Sequence, residues 1–219
     1  MFCIHTKFIY NRRIKAKKEG DKLSYTAQLL ELISKQDGIL LTRDVEAAGI
    51  PRHYLTLLAR EGLIERASHG IYVTPETFED DLYILQARSP QLIYSHETAL
   101  YLHDLTDRDP LAYSVTVPLG YHNRLLIENG LHVYTVKKEW HALGVTETAS
   151  MYGRPIRLYD AERTLCDLFR QRKKVDADLL NDGMKRYLAR KDKNVPQLLR
   201  YAEQLRVSSP VRTYVEILL

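Results

Sequence analysis

The spacing of chain breakers between residues 37 and 70 constrains this sequence more than any other feature. Asp37-Gly38, Gly49, Gly62 and Gly70 divide the stretch into pieces too short for anything but compact helices and tight strands. Ahead of them Leu23, Ala27, Leu29, Leu30, Leu32 and Ile33 recur at helical spacing, which predicts a helix over 23–36. After the short apolar segment GILLT, Thr42 is placed to cap a second helix running through Val45, Ala47 and Ala48 to Gly49. Pro51 suits the first position of a third helix, where its missing amide costs nothing, and Gly62 ends that helix. LIERA and GIYVT, joined at Ser68-His69-Gly70, read as a hairpin. Helix, helix, glycine turn, helix, hairpin is the order of a winged helix-turn-helix, here over residues 23–75.

Beyond it the pattern changes. Pro75 is placed to open a helix over 76–88, and residues 76–219 form a second domain. LIYSHETALYLHDL reads as a short strand leading into a helix. YSVTVP, LHVYTV, TETASMYG and RPIRLY carry the alternation of β-branched and aromatic residues expected of strands, with a turn at Tyr152-Gly153. Asp160 is a good N-cap, and helices follow over about 160–172, 175–190, 194–206 and from Pro210. The fold class is therefore α+β: an N-terminal winged helix-turn-helix, then a mixed-sheet α+β domain with a helical C-terminal half.

Charge adds a functional hint. The formal net charge of the chain is only +4, but it is unevenly placed. Residues 1–24 hold seven Lys or Arg against two acids, residues 25–75 five against six, and residues 76–219 twenty against twenty. The excess sits in a basic N-terminal arm, residues 1–22, with Arg12, Arg13, Lys15, Lys17 and Lys18 close together. A second excess, nine bases against four aspartates, lies over 170–193. Such clusters favour a polyanion, usually nucleic acid, although each also suits a solvated surface.

On a helical wheel of PRHYLTLLAREG, Leu55, Leu58 and Ala59 share one face. His53, Thr56 and Arg60 lie opposite, with Arg52 at the N-terminal edge, the geometry that enters a major groove. Arg52 can contact guanine bidentately, and His53 or Thr56 can reach base edges or phosphates. Leu57 also points outward, toward a thymine methyl or a neighbouring element. Arg66, Ser68 and His69 form the tip of the wing, and Lys35 and Arg43 flank the surface as phosphate clamps. The near-neutral charge of residues 25–75 favours the alternative of a winged helix that docks a protein.

Catalytic signals are missing. There is no GxxxxGK[ST], GxGxxG or HExxH. Cys3 and Cys166 fit no metal spacing and read as the reduced thiols of a cytoplasmic protein, Cys166 in the core. No apolar run is long enough for a membrane span, and the order of apolar and charged residues at the start opposes a secretory signal. His5, His103, His122, His132 and His141 read as surface or loop residues, and His96-Glu97 as part of a helix cap rather than an acid–base pair. Asp104, Asp107 and Asp109 are better explained by a turn than by a metal site. No cofactor, metal or catalytic residue is expected. An enzyme that processes nucleic acid and is targeted by a winged helix stays open as a second reading.

With these motifs in place, the chain resembles the AbiEi family of antitoxins from type IV abortive-infection toxin–antitoxin systems. The resemblance covers about residues 23–219 and rests on GILLTRDVEAAGIPRHYLTLLAREGLIERASHGIYV, then YSHETALYLHDLTDRDP, VTVP, RPIRLYDAERTLCDLFRQRKKVD, LLRYAEQLRV and VRTYVEILL, in that order. The arm lies outside the family pattern. The resemblance implies a repressor that binds inverted repeats in double-stranded DNA of its own promoter. It also implies a role in phage defence, with residues 76–219 as an antitoxin domain. That domain counters a nucleotidyltransferase-like toxin without a stable complex. The DNA-contacting residues it implies are Arg52, His53, Thr56, Arg60, Arg66, Ser68 and His69. For YDAERTLCDLFRQRKK the residues themselves give a mainly structural reading: Ala161, Leu165, Leu168 and Phe169 form a buried stripe, Asp160 caps, and Arg163 can pair with Asp167 at i,i+4, worth only a few tenths of a kcal/mol if exposed. Arg170, Arg172, Lys173 and Lys174, with Lys185, Arg186, Arg190 and Lys191, are a candidate second basic face for DNA or RNA.

Overall fold

The computed structural model describes residues 25–122 and 124–218. The basic arm, including Arg12 to Lys18, lies outside the described residues. The described residues divide into two compact units, the first ending at Arg88 and the second beginning at Ser89 rather than at residue 76.

The described part of the first unit runs α1 (Tyr25–Lys35), β1 (Ile39–Leu41), α2 (Thr42–Ala47), α3 (His53–Arg60), β2 (Glu65–Ser68), β3 (Ile71–Val73) and α4 (Asp81–Arg88). The hairpin β2–β3 is present, and Ser68 pairs with Ile71 across a two-residue turn. Gly70 closes that turn at φ +74°, which a side chain would disfavour. GILLT, expected only as a connecting segment, supplies a third strand: β1 pairs antiparallel with β3, in the order β1-β3-β2.

An unbroken apolar run suits β1 because both of its faces are covered. Leu40 enters the helical core with Leu29, Ile33, Val45, Ile50, Leu55, Leu58 and Ile64. Ile39 and Leu41 point the other way and join Ile71 and Val73 beneath Tyr83, Ile84 and Ala87 of α4. This packing is why α4 belongs to the first unit.

Three element starts differ from expectation. Thr42 does not cap α2: Leu41 holds the N-cap position without a side-chain bond, and the Thr42 amide donates to Gly70 O at 2.8 Å. The third helix begins at His53, not Pro51, because Tyr54 and Leu55 donate to Pro51 O and Arg52 O, a tighter i to i+3 turn that leaves Pro51 outside. The fourth begins at Asp81, not residue 76, because the Asp80 carboxylate accepts from Tyr83 N at 3.1 Å and caps it there.

The second unit runs β4 (Ile93–Tyr94), α5 (His96–Leu102), β5 (Ser114–Pro118), α6 (Arg124–Glu128), β6 (His132–Val136), α7 (Lys138–His141), β7 (Val145–Ala149), β8 (Pro155–Tyr159), α8 (Ala161–Arg170), α9 (Ala177–Ala189), α10 (Val195–Gln204) and α11 (Ser208–Leu218). Its sheet has the order β6-β5-β4-β8-β7 and is mixed: β4–β8 and β5–β6 are parallel, β4–β5 and β7–β8 antiparallel. The helical half builds a core around Leu165, Leu168, Phe169, Met184, Tyr187, Leu198 and Val211. Cys166 is buried there, as expected.

Helix α8 departs from the amphipathic reading. Asp160 caps it, accepting from Arg163 N at 2.7 Å, and Leu165, Leu168 and Phe169 are buried, whereas Ala161 is only partly so. Arg163 and Asp167 are not on the surface. Their side chains are 0% and 2% exposed and paired at 2.9 Å. α5, α9 and α10 pack against α8, and its polar side is closed by the segment around Trp140–Gly144 and by Tyr159. The Arg163 guanidinium donates to Trp140 O at 2.6 Å and Leu143 O at 2.9 Å and lies 4.2 Å over the Tyr159 ring. Gly144, at φ +72°, allows this approach, since a Cβ there would sit 2.8 Å from Arg163 Cβ.

His96 and Glu97 do not form a cap. Ser95 is the N-cap of α5 without a side-chain bond, His96 is buried, and Glu97 accepts from Ser114 Oγ at 2.6 Å. His103 and His141, expected as surface or loop residues, are half-buried, His103 in the turn after α5, and bonded through Nε2 to Tyr159 O and Gln91 O at 2.7 and 2.8 Å.

Candidate nucleic-acid interface

α3 carries its polarity on one side because Leu55 and Leu58 are drawn into the first unit's core while Arg52, His53, Thr56, Leu57 and Arg60 stay exposed. Its N-terminal turn is held in place by aromatic packing. Tyr54 meets Tyr25 of α1 edge-on at 5.2 Å, and the His53 ring lies 4.4 Å from the Tyr54 ring. The leading end of the helix is thereby fixed to α1, and the side chains that point away from the core project from a stiff element.

Arg52 is oriented by a partner that sequence reasoning missed. Its Nε donates to Glu46 Oε1 of α2 across the turn at Gly49–Pro51. The hydrogen bond and charge of Arg52 hold the Glu46 carboxyl below the usual range, and Glu46 raises the Arg52 guanidinium. Both are exposed, so water and salt screen the pair and a phosphate or guanine can replace the carboxylate. The six-residue separation gave no helical signal; only the turn brings the two together.

At the wing tip, Arg66 Nη2 and His69 Nδ1 lie 3.1 Å apart and Arg66 Nε donates to Ser68 O at 3.3 Å. The three predicted wing residues thus form one cluster, with Arg66 and His69 exposed. The flanking bases carry local tethers: Lys35 to Glu31 at 2.9 Å, and Arg43 to Asp44 at 3.7 Å and to Ala87 O at 3.3 Å. Both stay well exposed, so these contacts position rather than neutralise them.

The second basic face is differently disposed. Arg186 is held by Asp107, Arg190 by Asp192 and His103 O, and Arg172 by Phe169 O at 3.1 Å. Arg170 lies over the Trp140 ring at 4.7 Å. Lys173, Lys174, Lys185 and Lys191 are exposed. Asp107 serves as the partner of Arg186, and among the described residues no group of three or more His, Cys, Asp or Glu is placed to hold a metal ion. No helix of the described residues is long and apolar enough to cross a membrane.

An amphipathic third helix with an exposed leading edge, a two-residue wing and a three-stranded sheet define the first unit as a winged helix-turn-helix. Residues 27–75 are similar to the family model described as "Transcriptional regulator, AbiEi antitoxin". No curated protein matches this chain. Among solved structures, the RV2827C protein from Mycobacterium tuberculosis has a similar fold, with a TM-score of 0.53 at 13% identity over 91% of this chain and 82% of that one.

Proposed function

We propose that this chain represses its own promoter by binding inverted repeats in double-stranded DNA, and that it is the antitoxin to a nucleotidyltransferase-like toxin that it counters without a stable complex. The observation that carries the DNA-binding half is the exposed row Arg52, His53, Thr56 and Arg60 on a helix whose opposite face is locked into the core. A helix so fixed presents its N-terminal residues to base edges in a major groove, with Arg66, Ser68 and His69 of the wing and Lys35 and Arg43 at the phosphates. The arm supplies the positive field that residues 25–75 lack, and its phosphate contacts release counterions. The lysines of the second basic face extend the footprint. The second unit carries the antitoxic activity, and the protein acts in the cytoplasm in phage defence without a cofactor or metal.

The test has two arms. The full chain should retard DNA from upstream of its own gene in the presence of excess random DNA, and footprinting should reveal paired half-sites related by two-fold symmetry. Co-expression with the neighbouring gene's product should restore growth that this product alone arrests. A chain that binds no DNA but captures a protein through α3 would make the first unit a docking module instead.

A further inference from the structure

The second unit contains a polar cavity that neither DNA binding nor the fold explains. Its volume is about 230 Å³ and it lies between β6 and the C-terminal end of α8, lined by His96, Tyr134, Asp167, Arg170 and Gln171 among others. Two of these are buried polar side chains, His96 at 3% and Asp167 at 2% exposed. Protein interiors rarely leave such groups without partners.

Here several are left so. Asp167 Oδ2 accepts from Arg163 Nε, but Oδ1 accepts no hydrogen bond from the described residues, and Arg170 Nη1 stands 3.9 Å from it. Behind the lining, buried Arg163 Nη2 has no partner among the described residues. The His96 ring stacks on Tyr134 with centroids 3.5 Å apart, in a backbone conformation at φ +48° that side chains seldom adopt.

The polarity of the cavity follows from the hydrogen-bond chain behind it. Thr116 Oγ1 donates to Ser95 Oγ, which frees the Ser95 hydrogen for His96 Nδ1 at 2.9 Å. Burial, with Arg163 and Arg170 nearby, holds the His96 imidazole at about 3, far below the usual histidine range. The ring is therefore neutral with its proton on Nε2, a donor with no partner among the described residues. With the Arg170 guanidinium, the Gln171 amide and the Tyr134 hydroxyl, the lining is rich in donors, and Asp167 supplies its one carboxylate.

We infer that this cavity is a binding site for a small oxyanion, a carboxylate or a phosphate group, held by Arg170, Gln171 and His96 Nε2–H. Its volume lies below the about 300 Å³ at which sites for drug-sized ligands begin, so the occupant is small. Arg170 is the natural anchor: it is 28% exposed at its side chain, braced on Trp140, and has no hydrogen-bonded acid. Charge-assisted bonds from a guanidinium to an oxyanion are the strong kind. Asp167 Oδ1 favours an occupant that also offers a hydroxyl or a protonated oxygen, since a fully ionised group would face that carboxylate.

The test uses the full chain with 15N-labelled histidine, followed by NMR. Basic residues elsewhere also attract anions, so the readout is the His96 Nε2 signal alone. Inorganic phosphate and acetate are titrated separately at constant ionic strength, and the probe that acts identifies the class of oxyanion. The expected result is a saturable shift of His96 with a Kd on the order of 1 mM or tighter. Arg170→Met should weaken it about tenfold or more. Gln171→Leu, at the exposed end of α8, should weaken it severalfold in a chain whose core is untouched. No saturable response of His96 to either probe would overturn the inference and leave a water-filled cavity. Unchanged affinity in both variants would overturn the assignment of the site.

Discussion

Helices α3 and α8 each carry an arginine paired with a carboxylate, and the two pairs do opposite things. Arg52–Glu46 sits in solvent, links two short helices, and can be exchanged for a phosphate or a base with little loss. Arg163–Asp167 is buried, and Arg163 also donates to two backbone carbonyls and lies over the face of Tyr159. The first leaves Arg52 free to exchange its partner, as the proposed DNA contact requires; the second is part of the architecture. The difference lies in what surrounds each helix. α3 has one covered face, whereas α8 is packed against four helices, α5, α9, α10 and α11, and against the segment around Trp140–Gly144 and Tyr159.

The comparison can be broken most forcefully at the buried pair. Arg163→Met leaves Asp167 buried without its cation and should cost about 3–5 kcal/mol of stability in denaturant unfolding. A loss under about 1 kcal/mol would show that the pair is solvated after all. Leu58→Ala, in the core that anchors α3, should cost about 2–5 kcal/mol by leaving a cavity, and should abolish DNA binding through unfolding of the first unit. Circular dichroism and a gel shift on the same sample separate the two effects.

A pH titration sharpens the contrast next. Because folded His96 titrates near 3 and an unfolded histidine near 6.5, the unfolded chain binds the extra proton between those values. Stability should therefore fall as the pH drops through that window, by at most about 1.4 kcal/mol per pH unit from this group. His103 and His141, also held low by burial, add to the fall. Asp160, raised by burial to about 6, works the other way: protonation in the folded state favours folding as the pH falls from 6 toward the ordinary carboxylate value. Asp167, raised by burial, acts in the same sense. The stability difference between the chain and His96→Gln isolates the histidine. If that difference does not vary between pH 7 and 4, His96 is not held neutral by its site. Smallest of all should be Glu46→Gln, which frees Arg52 and removes a negative charge near the phosphates, tightening DNA binding about two- to threefold at low salt.

The elements of the first unit were legible because glycines and a two-residue turn punctuate them. Their starts were not, since Asp80 and the i to i+3 turn at Pro51–Leu55 overrode the prolines. GILLT could not be recognised as a strand from five residues, because its partner β3 lies thirty residues on and a doubly covered strand shows no alternation. Arg163 and Asp167 were legible as a pair at i,i+4, but that spacing says nothing about burial. His96 was hidden for a similar reason: its neighbours Tyr134, Asp167 and Arg170 are distant in sequence, and only the β5–β6 register and α8 bring them together. Glu46 escaped notice because a turn, not a period, places it beside Arg52.

The central claim is that the exposed face of α3 reads DNA sequence. The direct measurement is binding of the full chain, Arg52→Ala and Thr56→Ala to the native promoter and to random DNA at one fixed salt concentration. The account predicts that Arg52→Ala loses about ten- to hundredfold on the promoter and much less on random DNA, with Thr56→Ala following in the same direction. Equal losses on both DNAs would contradict it and leave these residues as phosphate contacts only.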